Sequence, residues 1–506
     1  MDKNFDAIIV GLGPVGSFMA LLLESHGLKV LAIDKDKDIY DLPRAVSMSD
    51  QGLRMAQTIG LEDIYLDNSS SVGGAGFVDK DLNFIGQSID FNGIITPNGW
   101  PPMRLFHQPY TDKAIRKKLM NSSCTVLLEH ELVHIDDHAD QIKVSIINNI
   151  NSEQSKHTGS FLIGADGGSS KTRRILDIKQ EDLDYNRDWI VIDVKLNGEK
   201  KLDDRAMQIC DPERLGTYIP SHSPFKRWEF LILNEEDKIE ITKDSKIHEL
   251  LSPWLEPNEY EIIRKAIYQF HSVLSEEFCK GNCFLLGDAA HQNPPFMGEG
   301  MMSGYRDATN LAWKIALVIN KGIHKNLLNT YQTERKPHAK FVVENSAGIG
   351  ELMEAYAATE DPNTVPKELV AKGYGSFVLP NLQEGLFYKG KADETTGVGQ
   401  LFPQPIKIKE GVISERLDSL LGNGFALVSK KQIVLKQEDH NFMSLLDTSM
   451  VVLDQELLDQ NFWLTAFLDL GEIFLIRPDK NVFGSTSDKV SLEDLINDLR
   501  NQINDN

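Results

Sequence analysis

The fold is decided by residues 6–34: Asp6-Ala7-Ile8-Ile9-Val10, then Gly11-Leu12-Gly13-Pro14-Val15-Gly16, an amphipathic run over 17–26 closed by Gly27, and Val30-Leu31-Ala32-Ile33-Asp34. The order reads as strand, glycine turn, helix, strand, acid. Gly11 permits a tight turn, Gly13 lets a pyrophosphate approach the main chain, and Gly16 lets helix and strand pack closely. Unpaired N–H groups at the helix start favour an anion. Asp34, ending the second strand, is set to accept hydrogen bonds from a ribose. Glycines alone would be weak evidence. With strand, helix and acid around them they point to a dinucleotide, against the plainer reading of a glycine-rich turn in an ordinary β-α-β unit.

Working outward, the 506-residue chain has room for about two to four domains and a large core. Its formal net charge of −22 argues against nucleic acid or an anionic membrane as a partner. The cysteines, Cys124, Cys210, Cys279 and Cys283, are scattered, with no partner at zinc spacing. No metal is expected, and the thiols read as reduced, as in a cytoplasmic protein. The acidic, polar start leads us to expect no signal peptide. No apolar run is long enough for a membrane span, and the longest, around 311–319, is interrupted by Lys314.

Two later landmarks resemble the first in form. The apolar run Phe161-Leu162-Ile163-Gly164-Ala165 delivers Asp166 into Gly167-Gly168. An N-cap aspartate is the plainer reading there, and the two roles can coexist. Cys283-Phe284-Leu285-Leu286 ends in Gly287-Asp288-Ala289-Ala290-His291; after Pro294-Pro295-Phe296-Met297, the loop Gly298-Glu299-Gly300-Met301-Met302 opens a long helix. That helix start presents bare N–H groups and a positive dipole end.

Ser49-Asp50-Gln51-Gly52 reads as a helix start, residues 108–119 as a helix, and 136–140 as a turn. Residues 189–241 are mainly strand-like, and helices are expected over 247–255 and 259–266. In Arg227-Trp228-Glu229-Phe230, alternation puts Trp228 and Phe230 on one face and Arg227 and Glu229 on the other; the aromatic pair is expected in the core rather than against a substrate. Residues 330–357 read as helix and 358–405 as a long connection; a smaller α/β unit begins near 406.

Three separated motifs now agree: Gly11-x-Gly13-x-x-Gly16, Asp166-Gly167 and Gly287-Asp288. The chain resembles the single-component FAD-dependent aromatic hydroxylases of the para-hydroxybenzoate hydroxylase type, and within them the 3-(3-hydroxyphenyl)propionate and polyketide hydroxylase branch. Pro43-Arg44-Ala45, Arg227-Trp228-Glu229-Phe230, Gly287-Asp288-Ala289-Ala290-His291 and Gly304-x-x-Asp307-Ala308-x-Asn310-Leu311-Ala312-Trp313-Lys314 are similar to that branch. The resemblance implies an α/β fold: a Rossmann-type FAD-binding domain (1–73, 98–183 and 269–357), an inserted mainly β substrate domain (74–97 and 184–268), a linker region (358–405), and a thioredoxin-like C-terminal domain (406–506). The last contains no cysteine, so packing or formation of a homodimer is its expected use.

The resemblance also implies roles. Gly11, Gly13, Val15, Gly16, Asp34 and Lys35 hold the ADP half of FAD. Arg44 contacts the ribose–phosphate region, and Gln108 binds FAD from the helix it opens. Asp166-Gly167 lies near the cofactor and the nicotinamide path. Gly287-Asp288 holds the ribityl chain, and the Pro294 carbonyl with Gly298, Gly300, Met301 and Met302 cradles the isoalloxazine. With a single glycine fingerprint, NADPH or NADH visits transiently as reductant. The reaction implied is hydroxylation of a small phenolic or polyketide-like aromatic with O2, by a flavin C4a-hydroperoxide. Candidates for handling the phenol proton are Asp50, His107, Tyr218 and His222, with Pro294 beside the ring; His291 is expected to make a structural hydrogen bond. This branch often has Gly-Gln-Gly-Met-Asn where Gly298-Glu299-Gly300-Met301-Met302 stands here; Glu299, near an anionic reduced ring, is expected to turn to solvent. A halogenase is disfavoured by the lack of Trp-x-Trp. An oxygenase inserting oxygen beside a carbonyl (Baeyer–Villiger-type or antibiotic-modifying) stays open, as does a flavin-binding scaffold with little turnover.

Overall fold

The computed structural model describes residues 4–138, 141–375, 379–390 and 397–504; Ala139 and Asp140 of the expected 136–140 turn, and parts of the 358–405 connection, lie outside them. A parallel core runs in the order Cys283–Leu285, Gln154–Gly164, Asn4–Val10, Val30–Asp34, Thr125–Leu128. A hairpin, His130–His138 and Gln141–Asn148, adds antiparallel to Gln154–Gly164. The central strands are apolar throughout because both faces are covered. Ala7, Ile9, Val30 and Ala32 face the helices, while Ile8, Val10, Leu31 and Ile33 face the hairpin. Helices Pro14–Ser25 and Gly300–Lys321 pack on the first face, where Phe18 stacks on Tyr305 at 4.0 Å.

Register places the motifs. Val10 lies opposite Gly164, and Gly164 opposite Leu285, so Gly11, Asp166 and Gly287 all emerge at the same carboxyl edge of adjacent parallel strands. That edge is where open α/β sheets bind ligands.

The second sheet has eight strands, in the order His291–Gln292, Tyr260–Ser275, Gln180–Leu196, Phe225–Leu231, Gly216–Ile219, Arg205–Ile209, Gly74–Val78, Phe84–Asp90. Helix Asp244–Leu251 forms near the expected place, but the expected helix over 259–266 is instead part of the 16-residue strand Tyr260–Ser275. Its apolar spacing suits either period, and antiparallel pairing along Gln180–Leu196 decides between them. Trp228 and Phe230 lie in the core under helix Asp244–Leu251, with Ile192, Ile247 and Leu251. The opposite face carries Trp189, Val191 and Phe270 against Phe296 and Met297.

The terminal unit is a four-stranded sheet, Ser449–Val452, Ala426–Ser429, Ile473–Ile476, Val482–Ser485, packed through Phe425 and Leu427 onto Trp313 and Leu317 of the long helix. The connection before it is more ordered than expected: it contains helix Lys367–Gly375 and buries Leu386, Phe387 and Phe402. Among the described residues, no helix is long and apolar enough to cross a membrane.

Candidate functional site

Each glycine of the first loop is there for a different reason. Gly11 has φ +93°, and a Cβ on it would lie 2.6 Å from the Ala165 carbonyl oxygen. A Cβ on Gly16 would strike the Gly11 carbonyl. Gly13 has nothing within 4 Å on that side, so its main chain is open to a ligand. No side chain caps the helix that begins at Pro14. The Val15 side chain packs against Gly287 and Gly304, which leaves only its main chain for a ligand.

Asp34 is held in place: Oδ2 accepts from Leu12 N at 2.8 Å and Oδ1 from Asp36 N at 3.0 Å. Lys35, beside it, is exposed. Arg116, absent from the sequence candidates, donates to the Leu12 carbonyl at 2.7 Å and reaches Asp34 at 3.4 Å, while its Nε and Nη1 are buried without partners. Gln108, Asp112 and Arg116 follow one another at four-residue spacing along one helix face, the signal that could have found it.

The Gln108 amide works on the protein rather than outward. Its Oε1 accepts from Arg44 N at 2.8 Å and Ala45 N at 2.7 Å, and its Nε2 donates to Asp112 at 3.0 Å. Burial raises Asp112 to about 7. Arg227 holds the same segment from the second sheet, donating to Pro43 O at 2.6 Å and Arg44 O at 2.8 Å. The Arg44 side chain itself is exposed, 4.7 Å over the Tyr40 ring.

Asp166 caps the helix Lys171–Ile175, accepting from Lys171 N at 2.8 Å, Thr172 N at 2.9 Å and Ser170 Oγ at 2.5 Å. Its carboxylate is thereby occupied, and Gly167, at φ +78° with open space beside it, is the part free to meet a ligand. Asp288 is the opposite case. Its side chain is exposed at the strand edge, it accepts no hydrogen bond among the described residues, and desolvation by the protein packed around it raises its pKa, against the pull of His291 and Arg44. The turn under it is fixed by Asp307, which accepts from Gly287 N at 3.0 Å, His291 Nε2 at 2.8 Å and Arg335 Nε at 2.8 Å. Burial would raise Asp307, but His291 and Arg335 hold it at about 2. His291 is therefore an internal partner of the long helix.

That helix starts at Gly300 with no side-chain cap, behind Gly298 at φ +67°. The Met302 side chain is buried against Met48 and Gly52, so Gly300, Met301 and Met302 offer main-chain N–H groups. The Pro294 carbonyl accepts from Asn293 Nδ2 at 2.8 Å. Glu299 does not turn to solvent as expected: Arg306, two turns along, binds it at 2.5 Å and neutralises it.

The base candidates separate clearly. A cavity of about 670 Å³ is lined by Asp50, Phe91, Met103, Met297 and Glu299. Asp50 sits on its wall, accepting from Thr96 Oγ1 at 2.5 Å, Asn98 Nδ2 at 2.8 Å and Gln51 N at 2.7 Å. Tyr218 is not brought to the cleft. Strand alternation turns it into the core with Trp228, where its hydroxyl donates to Asp203 O at 2.9 Å. His107 is buried, stacked on Phe225 at 4.2 Å and held at about 4 by burial. His222 shares a hydrogen bond with Ser70 Oγ at 2.8 Å. Neither histidine lines the 670 Å³ cavity. A larger open hollow, about 1030 Å³, lies beside Phe387 and Tyr388 and touches none of the motif residues. The thiols are free, and burial raises Cys279 to about 11 and Cys283 to about 12, which makes them poor nucleophiles.

An unpartnered carboxylate, an open glycine main chain and an uncapped helix start, converging on one strand edge, fit a flavin dinucleotide: polyol to Asp288, diphosphate to the first loop, and an electron-rich ring edge to the N–H groups. The chain belongs to the family described as FAD binding domain, whose profile matches residues 4–346. FAD is its cofactor.

Particular relatives extend the likeness. The chain is 30% identical over 460 residues to a "3-(3-hydroxy-phenyl)propionate/3-hydroxycinnamic acid hydroxylase" of Burkholderia cenocepacia (strain HI2424), covering 88% of this chain and 83% of that protein. It is 27% identical over 527 residues to the "Probable NADH-specific resorcinol 4-hydroxylase" of Rhodococcus jostii (strain RHA1), covering 98% and 95%. Its fold is similar to the flavin-dependent monooxygenase PieE, solved with FAD and substrate, at TM-score 0.80 and 16% identity over 99% of both chains. Aklavinone-11 hydroxylase, solved with FAD and aklavinone, gives TM-score 0.80 and 18% identity over 99% of this chain and 100% of that one.

Proposed function

We infer that this chain is an FAD-dependent monooxygenase that hydroxylates a phenolic or polyketide-like aromatic ring with NAD(P)H and O2. The observation that carries it is the unpartnered Asp288 carboxylate on a strand edge shared with two glycine loops. The relatives named for 3-hydroxyphenylpropionate and for resorcinol, both phenols, support the substrate class.

In this reading the Gly11–Gly16 main chain takes the FAD diphosphate, Asp34 a ribose, Asp288 the ribityl hydroxyls, and Gly300 to Met302 the pyrimidine edge. Arg44 and Gly167 lie along the cofactor, and the Pro294 carbonyl faces the ring. The parallel core is the Rossmann-type domain, the second sheet the substrate domain inserted in it, and the terminal unit a thioredoxin-like domain. FAD, when bound, accepts a hydride and activates O2. The chain's own residues do the rest. Phe91, Met103 and Met297 exclude water from the 670 Å³ cavity. Asp50, the one base candidate on that wall, accepts the phenol proton, with Thr96 and Asn98 holding its other lone pairs.

The test is direct. Purified protein is expected to be yellow, to release FAD on denaturation, and to oxidise NADH or NADPH faster when a phenol is added, with hydroxylated product in step. Colourless folded protein that takes up no added FAD, or oxidation that no phenol accelerates, overturns the reading.

A further inference from the structure

Many buried and half-buried cations in this protein face carboxylates, as Arg54 faces Asp418 and Arg214 faces Glu236. Arg173 and Lys480 donate to main-chain carbonyls instead, and one recess gathers several groups of that second kind. Strand Met103–Phe106, the Ser69–Ser71 strand paired with it, and the 220–226 turn of the second sheet bring Arg104, His107, His222 and Lys226 together. Among the described residues none of the four forms an ion pair. Their partners are neutral: Arg104 Nε donates to Ser69 Oγ at 2.6 Å, His222 Nδ1 meets Ser70 Oγ at 2.8 Å, and Lys226 Nζ donates to Pro220 O at 2.6 Å. His107 Nδ1 is buried without a hydrogen-bond partner among the described residues.

The groups feel one another. Burial lowers His222, and Arg104 and Lys226 lower it further; burial lowers His107, with added repulsion from His222 and Arg227. The carboxylate opposing this is Asp193, already bound by Arg227 at 2.7 Å. Both histidines are thereby pushed toward the neutral form, so the positive charge here belongs to Arg104 and Lys226; partly desolvated and facing no carboxylate among the described residues, it is costly unless an anion meets it.

Two further facts select the anion. Tyr110, 46% exposed, lies with its ring centroid 4.4 Å from that of His107 and edge-on to Phe225, an aromatic ring part-open to solvent beside the recess. Gln108, the residue after His107, grips Arg44 and Ala45, so the recess adjoins the flavin cradle. The sequence has a single glycine fingerprint, and FAD takes it. A second dinucleotide must therefore have its diphosphate met by side chains. We propose that this recess docks the diphosphate of NADH or NADPH, with a heterocycle against Tyr110. The proposal rests on the reading of the chain as an NAD(P)H-dependent flavoenzyme.

The test uses the full chain loaded with FAD. ADP-ribose, which carries the diphosphate but no nicotinamide, is titrated by calorimetry, and NADH and NADPH dissociation constants are taken from anaerobic flavin bleaching in rapid mixing. Arg104→Gln and Lys226→Gln are each expected to weaken ADP-ribose and both reductants about tenfold, the size of one charge-assisted hydrogen bond. The limiting bleaching rate and FAD content stay as in the parent, and Arg104→Lys recovers part of the loss. A larger loss for NADPH than NADH assigns the recess to the 2′-phosphate as well. The proposal is overturned by dissociation constants within twofold of the parent in both variants. Loss of FAD, or weakened binding of an aromatic acid with ADP-ribose unchanged, also overturns it, because the recess then serves the cofactor or the substrate. A parent that binds ADP-ribose but is never stimulated by phenols sinks the hydroxylase reading alone.

Discussion

Two of the buried ionic networks in this protein differ in what they hold. Between the long helices and the terminal unit, Glu334 accepts from Arg477 at 2.9 and 2.7 Å, Lys314 at 2.8 Å and Asn310 at 2.5 Å, and Arg477 also binds Asp479. That network is closed: its charges answer one another. Burial would raise Glu334, but Arg477 and Lys314 pull it far down, while burial brings Lys314 to about 8. Under the second sheet, Asp193 binds Arg227 at 2.7 Å and Arg264 at 3.5 Å, but both arginines also reach outward to the Pro43 carbonyl, and Arg227 to that of Arg44. Nearby Glu229, raised by burial, faces Arg227 at 3.8 Å and is pulled down further by Arg264. The closed network joins two units. The open one holds the Pro43–Arg44 segment by its carbonyls.

The sharpest break should come at the closed network. Glu334→Ala leaves buried cations unpaired and is expected to cost about 3–5 kcal/mol of stability in denaturant unfolding. FAD affinity of the folded fraction is expected to stay as in the parent. A mixed outcome is expected at Asp307, whose network braces both a helix and the Gly287 turn. Its folded pKa, about 2, lies below the ordinary 3.8, so its contribution is complete above about pH 4 and is lost as pH falls towards 2. The size is about 2 kcal/mol, and Asp307→Asn is expected to flatten the stability profile across that window while loosening FAD.

The open network should reverse the pattern. Arg227→Lys keeps the charge but loses the planar fork. FAD binding, followed by flavin fluorescence, is expected to weaken about tenfold with little change in unfolding. An equal stability loss at Arg227 and Glu334 would erase the distinction. The smallest effect belongs to neither network. Tyr218→Phe removes one hydrogen bond to Asp203 O in the far core, and is expected to cost about 1 kcal/mol or less and to leave the rate of phenol-stimulated NADH oxidation unchanged.

The cradle was legible because its signals are local and geometric. Gly11, Gly13 and Gly16 each answer a contact or an opening that a side chain would spoil, and acids at strand ends announce themselves in the sequence. The face alternation of Trp228 and Phe230 followed from the two-residue period alone. What escaped depended on partners far along the chain. Tyr260–Ser275 becomes a strand only because Gln180–Leu196 lies beside it. Tyr218 belongs to the wrong face for chemistry once Trp228 fixes the register. Gln108 carries the right amide but aims it at Arg44, and Glu299 meets an arginine that its own loop does not contain.

The long ribbon Tyr260–Ser275 touches this site at both ends: Ser275 N donates to the Ala290 carbonyl at 2.7 Å, next to the Gly287 turn, and Arg264 reaches the Pro43 carbonyl. It thus works as a ruler. Excising two residues between those marks would keep every side chain on its own face yet shorten the gauge by about 7 Å. The Gly287 turn and the Pro43–Arg44 segment would then be drawn together, and a molecule held between them in the way proposed above would no longer fit.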